Sequence, residues 1–463
     1  MANPSFSGLL MNKIKSNVTG IVTFLCSVHP VRHVVMGYLM YVLIGWMLLS
    51  LPFCHRNGAA ASGLDHLFIS ASAVSTTGLT TVSVSGTYTF LGQLIVLILI
   101  QLGGIGYMTF GSFVILAQNK TLSKTRQDIL GTVFSLPESF KIYKFIKSVI
   151  VFTTAVETVG AIFLFFIFRN AGSENPIWSA IFHSVSSFCT AGFGLYDNSF
   201  ENFSGHFWIN VIIAVLSYLG AMGFIVFVDI WRKIRGKTEH VTLTTKIILM
   251  ATFYMSIIGT VLFFITEPSI QNLPADKRLL ASFFQTMTAM TTVGFNTIPI
   301  GAVSRASLLL IITLMVIGAA PAGTGGGLKC TTFTALWGLS MSVLKGNKEV
   351  SFWGRVIPEP RVRLASASFC FYVTFLLVGT YLLSLSDGVE DFEKLLFEAA
   401  SALGTVGLST GITSSLTAMS KLILIGLMYA GRVGPLTFGL ALFFANRPTS
   451  KDIQFKLPDD LVV

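Results

Sequence analysis

Four short segments of this chain share one pattern: a threonine, any residue, a glycine, then leucine or phenylalanine. They read STTGL around Gly78, CTAGF around Gly192, TTVGF around Gly294 and GTVGL around Gly407. Such residues supply no nucleophile, general base or metal-binding side-chain set. They supply backbone, because glycine lets the chain take angles closed to other residues and so aim carbonyl oxygens at one point. Several carbonyl dipoles at close range can replace a cation's hydration shell without trapping the ion by a full charge. The candidate coordinating residues are Thr76, Thr77, Gly78, Thr190, Ala191, Gly192, Thr292, Val293, Gly294, Thr405, Val406 and Gly407.

The likeness extends beyond the loops. Ten residues before each glycine stands Phe68, Phe182, Phe284 or Phe397, and six before stands Ser72, Ser186, Thr288 or Ser401. The glycines are 114, 102 and 113 residues apart, as expected of tandem units of one design. Downstream, LGGIGY, LGAMGF, IGAAPA and AGRVGP place Gly103, Gly220, Gly318 and Gly431 at one repeat position; close helix packing through small residues accounts for these glycines equally well.

The elements that must position the loops are membrane helices. With 53% hydrophobic residues, 11% charged residues and mean hydropathy +0.74, the chain has too little charge to cover a soluble globule of its size. Eight apolar runs can each cross a hydrocarbon core of roughly 30 Å: Val34–Phe53, Leu91–Ala117, Phe145–Phe168, Phe207–Trp231, Thr245–Thr266, Ser307–Trp337, Ala365–Ser386 and Leu422–Ala445. A shorter apolar stretch lies within each pair. The expected fold is therefore all-α and polytopic: four tandem membrane-pore-membrane repeats, eight spans plus four pore helices, in pseudo-fourfold arrangement around one ion pore. The repeats are residues 34–117, 145–231, 245–337 and 365–445, with linkers 118–144, 232–244 and 338–364, an N-terminal segment 1–33 and a tail 446–463.

The net charge of +10 is sorted by loop rather than gathered into a nucleic-acid patch. Basic residues crowd the linkers (Lys120, Lys124 and Arg126; Arg232, Lys233 and Lys237; Lys345, Lys348 and Arg363), the N-terminus and the tail, whereas Asp197, Glu201, Asp387, Glu390 and Asp391 lie in the opposite loops. The positive-inside rule then puts both termini in the cytoplasm. The five cysteines, Cys26, Cys54, Cys189, Cys330 and Cys370, show no CxxC spacing and read as packing residues. Residues Val18–Val28 lack a cleavage site and read as a cytoplasmic or interfacial helix.

Residues 318–329, GAAPAGTGGGLK, interrupt the sixth run. As one helix, Ser307–Trp337 would measure about 46 Å, too long unless broken. A phosphate-binding loop is excluded because Leu328 separates Gly327 from Lys329. Arg432 lies inside the eighth run, where an unpaired cation costs about 2.5–3.5 kcal/mol; it must face the pore or a carboxylate, and Glu157 and Glu398 are the acids at membrane depth. His29 and His33 form no metal motif, and His183 reads as a packing or hydrogen-bonding residue. No enzyme site or cofactor is expected.

On these four loops, the broken sixth span and the late membrane arginine, the chain resembles the Trk/Ktr/HKT superfamily of potassium transporters along nearly its whole length, most closely the membrane subunits of the Ktr branch. The resemblance implies K+ as the transported ion at the twelve loop residues, with Na+ as a second candidate. It implies a gate beneath them formed by Gly318, Pro321, Gly323, Thr324, Gly325, Gly326, Gly327, Lys329 and Arg432. It also implies a homodimer in the plasma membrane, docked on a cytosolic RCK-type regulatory ring that binds ATP or ADP; contact with membrane lipid explains the basic loops equally well. The loops depart from the TVGYG of potassium channels: Thr80, Gly194, Asn296 and Ser409 follow where a consensus would stand, so weaker discrimination against sodium is expected. The alternatives are the potassium-binding subunit of a P-type pump, or a membrane receptor or enzyme on the same scaffold.

Overall fold

A computed structural model of the chain describes residues 30–106, 142–236 and 238–443. The expectations for Val18–Val28, His29, Cys26, most of linker 118–144, Lys237 and the tail lie outside the described residues. Within them, a two-residue antiparallel hairpin, Ser351–Phe352 with Arg355–Val356, is the sole strand pair; the rest is helix and loop.

The helices come in sets of long, short, long. The first set is α1 (Pro30–Leu49), α2 (Gly63–Val74) and α3 (Phe90–Ile105). The second is α4 (Ile142–Asn170), α5 (Pro176–Phe188) and α6 (Phe207–Ala221), continued by α7 (Phe224–Ile234). The third is α8 (Leu243–Thr266), α9 (Ala275–Thr291) and α10 (Arg305–Ile317), continued by α11 (Cys330–Leu344). The fourth is α12 (Glu359–Ser386), α13 (Phe392–Gly404) and α14 (Ala418–Val433), continued by α15 (Pro435–Phe443).

Local chemistry starts these helices where they start. A capping box joins Ser62 and Asp65 at α2. The side chains of Thr89, His206, Ser304 and Thr417 each accept a backbone N–H three residues on, at the starts of α3, α6, α10 and α14. The outward faces of the long helices stay apolar, exposing Met40, Met47, Phe163, Phe166, Ile258 and Leu377, as a lipid-facing surface requires. Their inward faces come close: a methyl group added at Gly45, Gly160 or Gly259 would lie 2.4–2.6 Å from Ser70, Ser184 or Thr286 of the adjacent short helix.

Packing links the sets in a closed cycle. Beyond its own set, α3 touches α5, α6 touches α9, α10 touches α13, and α14 touches α2. The four phenylalanines at the shared position, Phe68, Phe182, Phe284 and Phe397, are all fully buried.

The spans differ from expectation in continuity. By length and apolarity, Ile146–Asn170, Leu243–Thr266 and Glu359–Ser386 can cross a membrane unaided, and the pair Phe207–Ala221 and Phe224–Ile234 counts as a fourth although it bends by 88°. The break expected in the sixth run alone therefore also occurs in the fourth, and α14 ends at Val433 with α15 starting at Pro435. Gly223 (φ +84°) and Gly434 (φ +95°) turn the chain there, as Gly106 (φ +85°) does at the end of α3. A positive φ is open to glycine and ends an α-helix; a proline just after the stop adds to it in the fourth set.

Candidate functional site

The candidate site lies at the C-termini of the four short helices. At each one the helix is closed by threonine in the left-handed region: Thr76 (φ 52°), Thr190 (φ 50°), Thr292 (φ 58°) and Thr405 (φ 48°). The next N–H bonds back to the carbonyl five residues earlier, from Thr77 to Ser72 at 2.8 Å, Ala191 to Ser186 at 2.8 Å, Val293 to Thr288 at 3.1 Å and Val406 to Ser401 at 2.8 Å. That is a Schellman closure, normally made with glycine. A β-branched residue there costs on the order of 1–3 kcal/mol, and it occurs four times in one place. In the first and fourth sets a serine hydroxyl also holds the following glycine: Gly78 N–H donates to Ser72 Oγ at 3.0 Å and Gly407 N–H to Ser401 Oγ at 3.1 Å.

After each threonine the chain extends to the motif glycine, and the four glycines face one another in order. A methyl group on Gly78 would lie 2.4 Å from Ala191 O, on Gly192 2.4 Å from Val293 O, on Gly294 2.1 Å from Val406 O, and on Gly407 2.1 Å from Thr77 O. The cycle closes on itself. All twelve expected coordinating residues are thereby brought together, with φ between +66° and +95° at the glycines.

The segment 318–329 lies directly under this cycle. Thr324 O meets Thr76 Oγ1 at 3.5 Å, Thr190 Oγ1 donates to Thr324 Oγ1 at 3.1 Å, and Gly326 N–H donates to Thr292 Oγ1 at 2.9 Å. A methyl group on Gly326 would lie 2.1 Å from Thr405 Oγ1. One loop thus touches the closing threonine of every short helix. It is fixed to the bend between α6 and α7, where Phe224 N–H donates to Ala322 O at 3.1 Å, Ala320 N–H to Ala221 O at 3.0 Å and Thr324 N–H to Gly220 O at 3.1 Å. Pro321 O and Gly323 pack on the same bend, and Gly318 packs on Gly326 and Gly327.

Gly318 consequently departs from its repeat partners. Gly103, Gly220 and Gly431 press on the short-helix carbonyls of Val74, Phe188 and Leu403, which a methyl group would approach to 2.2, 1.9 and 2.1 Å. Gly318 instead ends α10, with φ +63°, because in the third set it is the inserted loop that fills the space beneath the short helix; Gly325 contacts Thr291 O and Thr292 Oγ1.

Two cations sit at the loop. Arg432 Nη1 donates to Thr76 Oγ1 at 2.9 Å and to Thr324 O, while Nη2 donates to Gly103 O and, at 3.3 Å, to Gly104 O. Lys329 Nζ donates to Gly325 O at 2.6 Å and Gly326 O at 3.3 Å. The carboxylates suggested for Arg432 are engaged elsewhere: Glu157 accepts from Gln101 at 3.1 Å, and Glu398 is held by serine and threonine hydroxyls beyond the fourth glycine. Carbonyl oxygens satisfy the arginine instead, including two at the C-terminal end of helix α3. Three features escaped sequence reasoning: the left-handed threonines, the Gly103 and Gly104 acceptors, and the glycine breaks. Only the breaks left a signal, since the second glycine of G-x-x-G recurs at Gly106, Gly223 and Gly434 with Pro321 in its place in the third set.

A family model described as TrkH, cation transport protein, matches residues 39–452. The chain is 33% identical to the potassium/sodium uptake protein NtpJ of Enterococcus hirae, over 94% of this chain and 97% of that one. It is 32% identical to the Ktr system potassium uptake protein B of Vibrio alginolyticus, covering 93% and 94%, and 31% identical to the protein of that name from Bacillus subtilis, covering 88% and 92%. The fold is similar to the crystal structure of the potassium transporter TrkH from Vibrio parahaemolyticus, with a TM-score of 0.69 at 20% identity over 88% of this chain and 84% of that one.

Proposed function

This chain belongs to the TrkH family of cation transport proteins, and we propose that it is the ion-translocating subunit of a Ktr-type potassium uptake system in the plasma membrane. In this reading the four sets surround one pore in pseudo-fourfold fashion, with both termini cytoplasmic. The observation that carries it is the closed cycle in which every motif glycine faces the carbonyl of the next set. An ion on the axis would exchange water for carbonyl oxygens of Thr77, Ala191, Val293 and Val406 and of the glycines beside them. The four short helices end at this point, and the partial negative charge of a helix C-terminus favours a cation and disfavours an anion.

Beneath the cycle, Thr324 and the glycines of 323–327, with Lys329 and Arg432, form the gate. Their positive charge and the loop itself close the path until the loop moves. Gating is governed by a cytosolic ring of nucleotide-binding subunits on which a homodimer of this chain docks. The naming of two relatives as parts of a Ktr system supports a partner subunit, and the relative named for potassium and sodium uptake supports sodium as a second ion.

The test is ion flux by the purified chain in proteoliposomes. Substitution Gly→Ser at Gly78, Gly192, Gly294 or Gly407 is expected to lower the preference for potassium over sodium, most of all at Gly78. Unchanged preference in all four variants would reject a single ring of glycines as the selective element.

A further inference from the structure

Nine residues before the motif glycines stand Ile69, His183, Gln285 and Glu398, and all four side chains are completely buried. Three are polar, and each of these reaches across to the segment that leaves its own glycine. His183 Nε2 accepts the Leu195 backbone N–H at 3.2 Å while Nδ1–H donates to Ser179 O at 2.7 Å; an amide nitrogen can only donate, which fixes the tautomer. Gln285 Nε2 donates to Thr297 Oγ1 at 3.3 Å. Glu398 Oε1 accepts from Ser409 Oγ at 2.7 Å, Thr410 N–H at 2.9 Å and Thr410 Oγ1 at 3.2 Å, and Oε2 accepts from Thr413 Oγ1 at 2.8 Å. Leu195, Thr297 and Thr410 each lie three residues after their glycine, so the target is the same in three sets. Ile69 has no group with which to make such a bond.

We propose that this position is a strap behind each quarter of the ring, graded from absent at Ile69, through single contacts at His183 and Gln285, to a four-bond clamp at Glu398, and that Glu398 is a positioning residue for ion selection. The inference rests on the transport reading above. A carbonyl ring accepts a smaller ion to the extent that its oxygens can close on it. The segment tied to Glu398 continues directly from Gly407, so a firm tie there resists closure, and charge-assisted bonds are the strong ones. The first quarter, where Ile69 offers no such bond, is the compliant one. Glu398 acts here as an acceptor of hydrogen bonds, not as a charge that attracts ions to the mouth.

Glu398→Gln separates these roles, because an amide oxygen can accept the Ser409 and Thr410 bonds while its NH2 donates to Thr413. In proteoliposomes Glu398→Gln is expected to keep the potassium-to-sodium flux ratio within about twofold of the parent, whereas Glu398→Met, which removes all four bonds, lowers it about tenfold. Should Glu398→Met fail to fold, Ser409→Ala/Thr413→Val removes two of the four bonds from the loop side, leaving those of Thr410, and is expected to lower the ratio severalfold in monodisperse protein. A parental ratio in that double variant overturns the proposal. So does a Glu398→Gln variant that loses flux of both ions equally. Gly407→Ser measured alongside tells the two failures apart: if it shifts the ratio and the strap variants do not, only the strap is wrong; if none shifts it, the ring reading itself fails.

Discussion

A left-handed threonine is worth keeping only where its hydroxyl or its exact backbone path matters, and the four closing threonines differ in this respect. Thr76, Thr190 and Thr292 hydroxyls bond Arg432 or the loop beneath, whereas Thr405 Oγ1 has no partner among the described residues. Thr405→Gly therefore gives up little and releases backbone strain. Its thermal stability in detergent is expected to equal or exceed the parent's, by up to about 1 kcal/mol. Gly407→Ala, two residues on, combines φ +94° with a contact of 2.1 Å to Thr77 O, and a loss of at least about 1 kcal/mol is expected. Fluorescence-detected size exclusion after heating measures both; equal loss in the two variants would mean that the threonine conformation is not strained. The sequence made the glycines legible because their chemistry has one use at membrane depth. The threonines were legible as a repeated type, but nothing in a single sequence states that a β-branched residue takes positive φ.

At the scale of elements, what could be read was set by how densely the signal was written. The run from Gly323 to Gly327 with Pro321 announced a break, and α10 and α11 are indeed separated by residues 318–329. Gly106, Gly223 and Gly434 did so only through their shared place in G-x-x-G, since any one glycine in an apolar helix is an ordinary packing residue. Arg432 was legible as a problem in need of an answer, and the answer, carbonyls of α3 and of the loop, required knowing that α3 stops at Ile105. Because Arg432 ties the loop at Thr324 O to the end of α3, Arg432→Gln removes both the positive charge under the ring and most of the tie. Potassium flux without any regulatory partner is expected to rise, on the order of tenfold if about 1.4 kcal/mol of barrier is lost. Removal of one glycine from 325–327 should act in the same direction. Variants of both kinds that are monodisperse and conduct no faster than the parent would make loop and arginine structural and move the gate elsewhere.

For the whole molecule, the cycle of helix contacts and the sorting of charge make one joint demand. If α3, α6, α10 and α14 each pack on the short helix of the next set, all four short helices must enter from the same side, and the loops flanking them must share that side. Asp197, which follows the second glycine loop, and Asp391, which immediately precedes α13, are both exposed. Lys348, exposed beyond the end of α11, belongs to the opposite side, where the positive-inside rule places it in the cytoplasm. In a chain with native cysteines replaced, Cys at 197 or 391 is expected to react with an impermeant thiol reagent added to intact cells, and Cys at 348 only after the membrane is opened. Labelling of 197 and 391 from opposite sides would break the demand made by the contact cycle, since two short helices could not then meet in one ring. Reversed labelling at all three positions would leave the ring intact but invert the molecule, and the ion would then meet the Arg432 loop before the ring rather than after it.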